Sequence, residues 1–595
     1  MSTPDITTDV LIVGTGPSGG SLAAFLTYYG IKPTIVSKEA STTPEPRAHV
    51  TNMATVECIR DIGLEKAFSA DATDYGVMPF RRYCHSILGQ EFFRSRICNQ
   101  VTDQKGDYEA ASPCKHIDLP QNLAEPILIQ RATQGGAKVR WNTEFISYEE
   151  NDHGVLSTCR DLQTSQTLRI QSRFLCGAEG ARSKLLKQTG ATLHGPKEEP
   201  ATCYSITFSA DLADVIAKCP AFMNFIIQPD RPIVQHCMVA SLRIIRPFHQ
   251  FQLIAIPTPD APVLKDLYEV DWTALLRDLI GDPDLKLTLD IITKWRVNEV
   301  VADYYSKGNV FNVGDAVHRH PPANGLGSNT SIQDSYNLAW KIAYVLKDFA
   351  GPGILDTYTL EREPVGKQIV QRANDSWRID LNLFEALGMF EPELEKRVAL
   401  FRLLGEDSPA GKEHRARLNG AFRLTRLQFS SLGAEMNLFY QSKAIYIEDE
   451  LSDARLPEYT QDKDLYYTPG TLPGMRLPHA WVCTQKLGKT VSTHDLAGKG
   501  RFTILTGLGG KETWSDAAAK VVAKKPGLEI AVFGIGWGQD YLDTDNQWHN
   551  VRGVESDGAV LVRPDRIVAW RSKTRLEPGE AAAKLEQAVH HILDW

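Results

Sequence analysis

Two glycine-rich turns and one histidine-bearing loop hold most of the residues in this sequence that can do chemistry. Gly14-Thr15-Gly16-Pro17-Ser18-Gly19 fits G-x-G-x-x-G. It lies between the apolar run Asp9-Val10-Leu11-Ile12-Val13 and a segment carrying Leu22, Phe25 and Leu26. In such a turn the first glycine permits a tight bend and the second lets a pyrophosphate approach the backbone. The third lets helix and strand pack closely, and the helix N-terminus, with Pro17 and Ser18, faces the phosphates. An acidic residue ordinarily ends the next strand and binds ribose hydroxyls. Here Ser37 stands there, followed by Lys38 and Glu39, so one hydrogen bond replaces a bidentate pair. Gly16-Pro17-Ser18-Gly19-Gly20 also fits G-x-S-x-G, the nucleophile elbow of α/β-hydrolases, with Ser18 as nucleophile. That elbow follows several strands, whereas this one follows the first, and no acid-then-histidine pair completes it.

The second turn is Gly314-Asp315-Ala316-Val317-His318, after the short apolar strand Asn309 to Val313. It continues Arg319-His320-Pro321-Pro322-Ala323-Asn324-Gly325-Leu326-Gly327-Ser328-Asn329. A carboxylate at a strand end can take hydroxyls of a ribityl chain. A glycine-opened helix N-terminus can set N–H groups and a positive dipole against an electron-rich ring. His318 and His320 raise the question of a metal, but no further ligand cluster accompanies them, so none is expected.

The elements that must position these residues follow from pattern and length. A chain of 595 residues implies two or three domains. The first 40 residues read as a βαβ unit, ending at Pro33 to Ser37. Residues 76–114 form an excursion of turns and aromatics. Residues from Cys203 to Pro257 change to β-rich segments and predict a separate, largely antiparallel sheet. A helix is expected from about Ser328 to Leu346, mostly helical chain over 351–440, a linker over 441–465, and a final α/β pattern over 466–595. The expected division is a discontinuous nucleotide-binding domain (1–75, 115–190, 300–350), a substrate domain (76–114, 191–299), the helical region, the linker and the C-terminal domain. Composition is that of a globular protein, 43% apolar and 23% charged, with a formal charge of -8 and no basic stripe. Nucleic acid is therefore not expected as a partner. The ten cysteines form no CxxC and are expected to be buried, reduced thiols of a cytosolic protein. MSTPDITTDV has neither a basic nor an apolar leader region, and no apolar run approaches the roughly 20 residues that span a bilayer. No membrane partner is expected.

GTGPSG, GAEGARS at Gly177 to Ser183, and GDAVHRHPPANGLGSN at Gly314 to Asn329 resemble the three flavin signatures of the class A, single-component flavoprotein aromatic monooxygenases. PRAHVTN, DLPQNLAEP, LDTYTLEREPVGKQI and GAVLVRPDRIVAWR are similar to the phenol hydroxylase and chlorophenol monooxygenase branch. The resemblance covers nearly the whole chain. It implies an α/β, glucose-oxidase-type FAD-binding fold, an interleaved antiparallel substrate sheet and a C-terminal thioredoxin-like domain. It implies FAD as bound cofactor, NADPH or NADH as transient reductant, O2, a phenolic substrate and a homodimer. By position, Gly14, Gly16 and Gly19 would bind the ADP part, and Arg47 and Gln121 the flavin or its phosphates. Asp315 would hold the ribityl chain, and Gly327, Ser328 and Asn329 would meet the ring. Pro322 would set its carbonyl near the ring. The family hydroxylates through a flavin C4a-hydroperoxide, aided by an aspartate base; the matching position here is His49, expected to act as base or hydrogen-bond acceptor. The middle signature departs from the family, with Glu179-Gly180 for Asp-Gly and Leu186 for a terminal arginine. The nicotinamide choice stays open, as does a Baeyer–Villiger or dearomatising reaction on a polyketide-like aromatic. Met223, His236, Met238 and Arg246 are candidates to line the pocket. Cys483, alone in its domain, is expected to have no dithiol role.

Overall fold

The computed structural model describes residues 4–197, 200–246, 249–486 and 489–595. Strand Ile6–Val13 is buried over its last four residues and pairs in parallel with Thr34–Val36 on one side and Thr167–Gly177 on the other. Lys138–Arg140 and Val310–Asn312 extend this parallel sheet on either side. Such strands are covered on both faces and read as apolar runs instead of alternating ones. A hairpin, Thr143–Asn151 and Gly154–Asp161, adds antiparallel to the outer half of Thr167–Gly177. Helices Pro17–Tyr28, Gln121–Gln134 and Gly327–Leu346 cover the sheet. Phe25 meets Tyr336 with ring centroids 5.0 Å apart. Loops at the carboxyl ends of parallel strands are where such folds bind ligands, and both glycine-rich turns lie there.

A second sheet has seven strands in the order Leu287–Arg296, Thr202–Ala210, Gln250–Ile256, Val239–Arg246, Ala221–Ile226, Phe80–Cys84, Glu91–Arg96. The excursion after residue 76 thus supplies its two outer strands. All pairings are antiparallel except Phe80–Cys84 with Ala221–Ile226, which is parallel. Side chains alternate between faces. One face, with Ile206, Phe208, Leu242 and Phe251, packs on helix Trp272–Ile280. The other carries Tyr83, Phe225 and Val239, which cluster with Leu383 and Phe384 of the long helix Thr357–Ala386 and with Phe422.

The C-terminal unit has the sheet order Ile530–Gly534, Phe502–Thr506, Ala559–Val562, Val568–Ser572. The first pair is parallel and the others antiparallel. Lys511–Val522 connects the parallel strands and Pro578–Leu593 follows the last, which gives the order βαβ–ββα. Cys483 lies outside this sheet, in Trp481–Thr484. Buried ion pairs fix the unit to the rest of the chain: Arg566 to Asp61 of the nucleotide-binding part at 2.6 Å, and Arg563 to Glu361 of helix Thr357–Ala386 at 2.6 Å. Among the described residues, no helix is long and apolar enough to cross a membrane.

Candidate active site

At the end of Ile6–Val13 the chain turns at Gly14, with φ +109°, and a Cβ there would strike the carbonyl of Ala178. Gly19 is closed off by the carbonyl of Gly14. Gly16 differs. Its φ of -62° and ψ of -174° suit any residue, and a Cβ would meet nothing nearer than Glu125 Oε1 at 3.8 Å. Neither the backbone nor a protein neighbour requires glycine at 16, so the space is kept for a group the chain does not itself supply. Helix Pro17–Tyr28 begins there with no side-chain cap and no acidic residue in its first turn. Its free N–H groups and positive dipole end suit a pyrophosphate.

Around this cradle, Ser37 accepts from Thr15 Oγ1 at 3.2 Å and from Glu39 N at 3.3 Å, and exposed Lys38 lies 3.9 Å from Glu39. Gln121 donates from its backbone to the Ala48 carbonyl at 2.7 Å and from Nε2 to Glu125 Oε1 at 2.6 Å. Arg47 is exposed and donates to Glu45 at 2.6 Å. Burial works against its charge, but Glu45, Glu125 and Asp315 together raise its pKa. Ser18 is buried with its hydroxyl toward Gly314 and Ser331. Its neighbours there are a glycine and a serine where a nucleophile's base would have to stand.

The second turn is held from beneath. Gly314 has φ +63°, and a Cβ would strike Ser18 and Ser331. Its N–H donates to Asp334 Oδ2 at 3.1 Å, an oxygen that also lies 2.9 Å from His318 Nε2, while Arg362 Nε donates to Asp334 Oδ1 at 2.7 Å. All three side chains are fully buried. Burial raises the Asp334 pKa, but Arg362 and then His318 outweigh it and hold the carboxylate charged. His318 therefore braces the turn. Asp315 itself is exposed. His320 is committed to the Pro321 carbonyl at 2.7 Å, and burial lowers its pKa to about 4. Among the described residues, no group of three or more His, Cys, Asp or Glu is placed to hold a metal.

Helix Gly327–Leu346 also starts without a side-chain cap, with Gly327 and Ser328 in its first turn. The side chain of Asn329 is engaged within the protein. Its Oδ1 accepts from Asn52 N at 2.9 Å, and its Nδ2 donates to the carbonyls of Val50 at 2.8 Å and Gly325 at 2.5 Å. The side chain is spent pinning residues 50–52 to the 325 loop, which leaves only its backbone N–H for a cofactor ring. Pro322 is exposed, and its carbonyl accepts from Gly325 N at 3.1 Å.

That pinning places His49. Val50–Thr51 pairs with Ile117–Asp118, so buried His49 projects beside Asp118 at the junction with the second sheet. His49 Nε2 lies 3.2 Å from Gln252 Oε1, and Gln252 Nε2 donates to Ser205 Oγ at 2.9 Å. His49 Nδ1 lies 3.7 Å from Asp118 Oδ1, too far for a hydrogen bond. Asp118 Oδ2 accepts from Arg243 Nη2 at 2.7 Å and from Tyr75 at 3.2 Å. Burial raises the Asp118 pKa, but Arg243 and then His49 bring it down to about 2. Burial, with the Arg243 charge, lowers that of His49. The imidazole is thus neutral at neutral pH, beside a carboxylate and a guanidinium. His49 Nδ1, Asp118 Oδ1 and Arg243 Nε are all buried without a hydrogen-bond partner, and such atoms call for a ligand or water.

Both parts have counterparts in known proteins. Residues 7–373 match the FAD binding domain family, and residues 470–595 match the aromatic-ring hydroxylase C-terminal domain. The chain belongs to the single-component flavoprotein aromatic monooxygenases. It is 39% identical, over 99% of its length and 98% of the relative's, to 2,4-dichlorophenol 6-monooxygenase of Delftia acidovorans. It is 37% identical, over 97% of its length and 92% of the relative's, to phenol 2-monooxygenase of Pseudomonas sp. (strain EST1001). Among solved structures, the flavin-dependent monooxygenase PieE, in complex with FAD and substrate, superposes with a TM-score of 0.92 at 37% identity over all of both chains. In this flavoprotein the Gly16 space and the two uncapped helix starts fit FAD.

Sequence reasoning missed Asp118, Arg243, Gln252 and Tyr75. A signal existed in Arg243 and Gln252, each a polar residue inside an apolar strand segment (ASLRIIR, FQLIAI). Arg246 was singled out instead; its side chain lies outside the described residues. Met223 sits on the sheet face that carries Arg243. Met238 belongs to the apolar cluster with Tyr83 and Phe225. His236 packs on Tyr204, part of the cluster on the opposite face.

Proposed function

We propose that this monooxygenase hydroxylates a phenolic ring ortho to its hydroxyl, consuming NADPH or NADH and O2, and that His49 is the base that takes the phenol proton. The observation that carries the reading is the neutral, buried imidazole facing unpartnered polar atoms where the flavin cradle meets the second sheet. The named substrates of the relatives, phenol and dichlorophenol, support the same chemistry. FAD, when bound, supplies electrons from the nicotinamide and an electrophilic oxygen atom derived from O2.

The chain's own contribution is binding and proton handling. Gly14, Gly16 and the start of Pro17–Tyr28 hold the pyrophosphate, Asp315 the ribityl chain, and the first turn of Gly327–Leu346 the electron-rich side of the ring. Gln252 keeps its Oε1 toward His49 by donating to Ser205, so His49 carries its hydrogen on Nε2 and Nδ1 has the free lone pair. A phenol O–H donating to Nδ1 gives up its proton there. Asp118 then faces a cationic imidazolium, and the unpartnered Nε of Arg243 is a donor for the phenolate oxygen. The ring becomes electron-rich as it does so, which speeds attack on an electrophilic oxygen. The test is a screen of nicotinamide consumption against simple phenols with identification of products. Phenol-stimulated consumption yielding ortho-diphenols supports the reading; consumption that no phenol stimulates contradicts it.

A further inference from the structure

The second sheet carries a row of side chains on one face, set by register. Thr207 lies opposite Gln252, Gln252 opposite Arg243, Arg243 opposite Met223, and Met223 opposite Arg81. Gln252 and Arg243 serve the His49 end. Arg81 stands two strands beyond Arg243, about 10 Å away at 4.7–4.9 Å per strand. Four of its five N–H groups are engaged away from Asp380: Nε donates to Ser95 Oγ at 2.6 Å, Nη1 to the Thr425 carbonyl at 3.2 Å and the Tyr83 hydroxyl at 3.5 Å, and Nη2 to Thr425 Oγ1. Phe429 packs over it at 4.4 Å.

Asp380 reaches this end from helix Thr357–Ala386. It is 5% exposed, and its Oδ1 has no hydrogen-bond partner. Gln428 lies beside it, and Gln428 Oε1 also lacks a partner. Burial drives the Asp380 pKa up to about 7, against the pull of the Arg81 charge. The short helix Arg426–Phe429, which carries Gln428 and Phe429, is tied to the 323–325 turn by Asn324 Nδ2 donating to the Leu427 carbonyl at 2.7 Å. The 323–325 turn, helix Arg426–Phe429 and Asp380 thus gather at the Arg81 end of the sheet face whose other end carries Arg243 and Gln252 beside His49. A buried carboxyl with an unpartnered oxygen, beside an arginine whose hydrogen bonds go to other residues, is a poor structural element. It suits a ligand that brings its own donor.

We propose that Asp380, with Gln428, forms a second polar pole of the substrate pocket, which selects aromatic substrates bearing an O–H or N–H donor remote from the hydroxyl that His49 addresses. The preferred substrates are thus dihydroxy- or aminophenols, or their fused-ring equivalents. The separation of the poles, shortened by side chains reaching inward, suits substituents on opposite sides of one ring or of a fused pair. The inference rests on the phenol-hydroxylation reading above.

The test compares isosteric pairs on the FAD-loaded protein, resorcinol with m-cresol and 4-aminophenol with p-cresol. It reads kcat/KM and, independently, Kd from the change in flavin absorbance. Measured at pH 8 and above, where a carboxyl with a pKa of about 7 is mostly ionised, a hydrogen bond to a charged acceptor predicts roughly a tenfold or greater preference for at least one donor-bearing compound. Asp380→Leu should bring that ratio close to one, and Asp380→Asn should lower it several-fold with full flavin content. Equal Kd within both pairs in the wild type overturns the proposal, as does a ratio that survives either substitution. Should no phenol be turned over, the hydroxylation reading fails, and the Kd ratios still decide on the second pole. If the leucine variant does not fold, the asparagine variant decides: an unchanged ratio there refutes the role of Asp380.

Discussion

Replacing His49 by alanine separates the proton-handling role from every structural one. A simple phenol ionises near pH 10, as tyrosine does. At pH 7 only about one molecule in 10³ is phenolate. The base is therefore asked to supply up to about 10³-fold, or about 4 kcal/mol at 1.36 kcal/mol per pH unit, within the span known for general base catalysis. For polyhalogenated phenols that are already ionised at pH 7, that contribution vanishes. His49→Ala should keep its FAD, because the imidazole touches Gln252 and Asp118 and not the cradle. Its loss of product formation should approach 10³ for phenol and shrink toward unity as substrate pKa falls below 7. The wild type adds a check of sign. Burial and Arg243 lower the His49 pKa, so the base form persists below the usual 6.5, and kcat/KM for a weakly acidic phenol should fall only as the pH drops through that lowered value. Product formation across phenols of graded pKa, in both proteins, is the assay. A loss that is equal for acidic and weakly acidic phenols would exclude His49 as the base.

Gly16→Ala should fold normally, since no protein atom opposes a Cβ there, yet bind FAD more weakly; unaltered FAD affinity in a titration of apoprotein would mean that the space is not the pyrophosphate site. Asp315→Ala should weaken FAD binding by about 10- to 100-fold, from the roughly 1.5–3 kcal/mol of a charged hydrogen bond, read by the same titration. Cys483→Ser should leave turnover intact, because Cys483 is a free thiol outside the four-stranded C-terminal sheet; a large loss with normal flavin content would contradict that.

What the sequence made legible were features written in local signals. The turn at Gly14 to Gly19 declares itself by an apolar run and spaced glycines, and the Gly314 turn by a carboxylate after a short buried strand. Helix Gly327–Leu346 showed its apolar spacing. Less legible was anything that depends on register between distant strands. Arg243 and Gln252 become neighbours of His49 only because Val239–Arg246 pairs with Gln250–Ile256 and the sheet docks on residues 49–52. Neither linear spacing nor propensity carries that information. Asn329 belongs to a signature associated with the flavin, and nothing in that signature shows that its side chain holds the backbone of residues 50 and 52. The segment 76–114 looked irregular because its strands Phe80–Cys84 and Glu91–Arg96 are short and rich in arginine, the latter at the edge of its sheet.

The claim that matters most is that one atom of O2 enters a phenolic ring at the expense of a nicotinamide. Single-turnover or steady-state reaction of the FAD-loaded protein with a turned-over phenol under ¹⁸O2, followed by mass spectrometry of the product, tests it directly. One ¹⁸O in the product ring hydroxyls and one NAD(P)H oxidised per product are expected. Unlabelled product, or nicotinamide oxidation that ends only in hydrogen peroxide with every phenol offered, would contradict it.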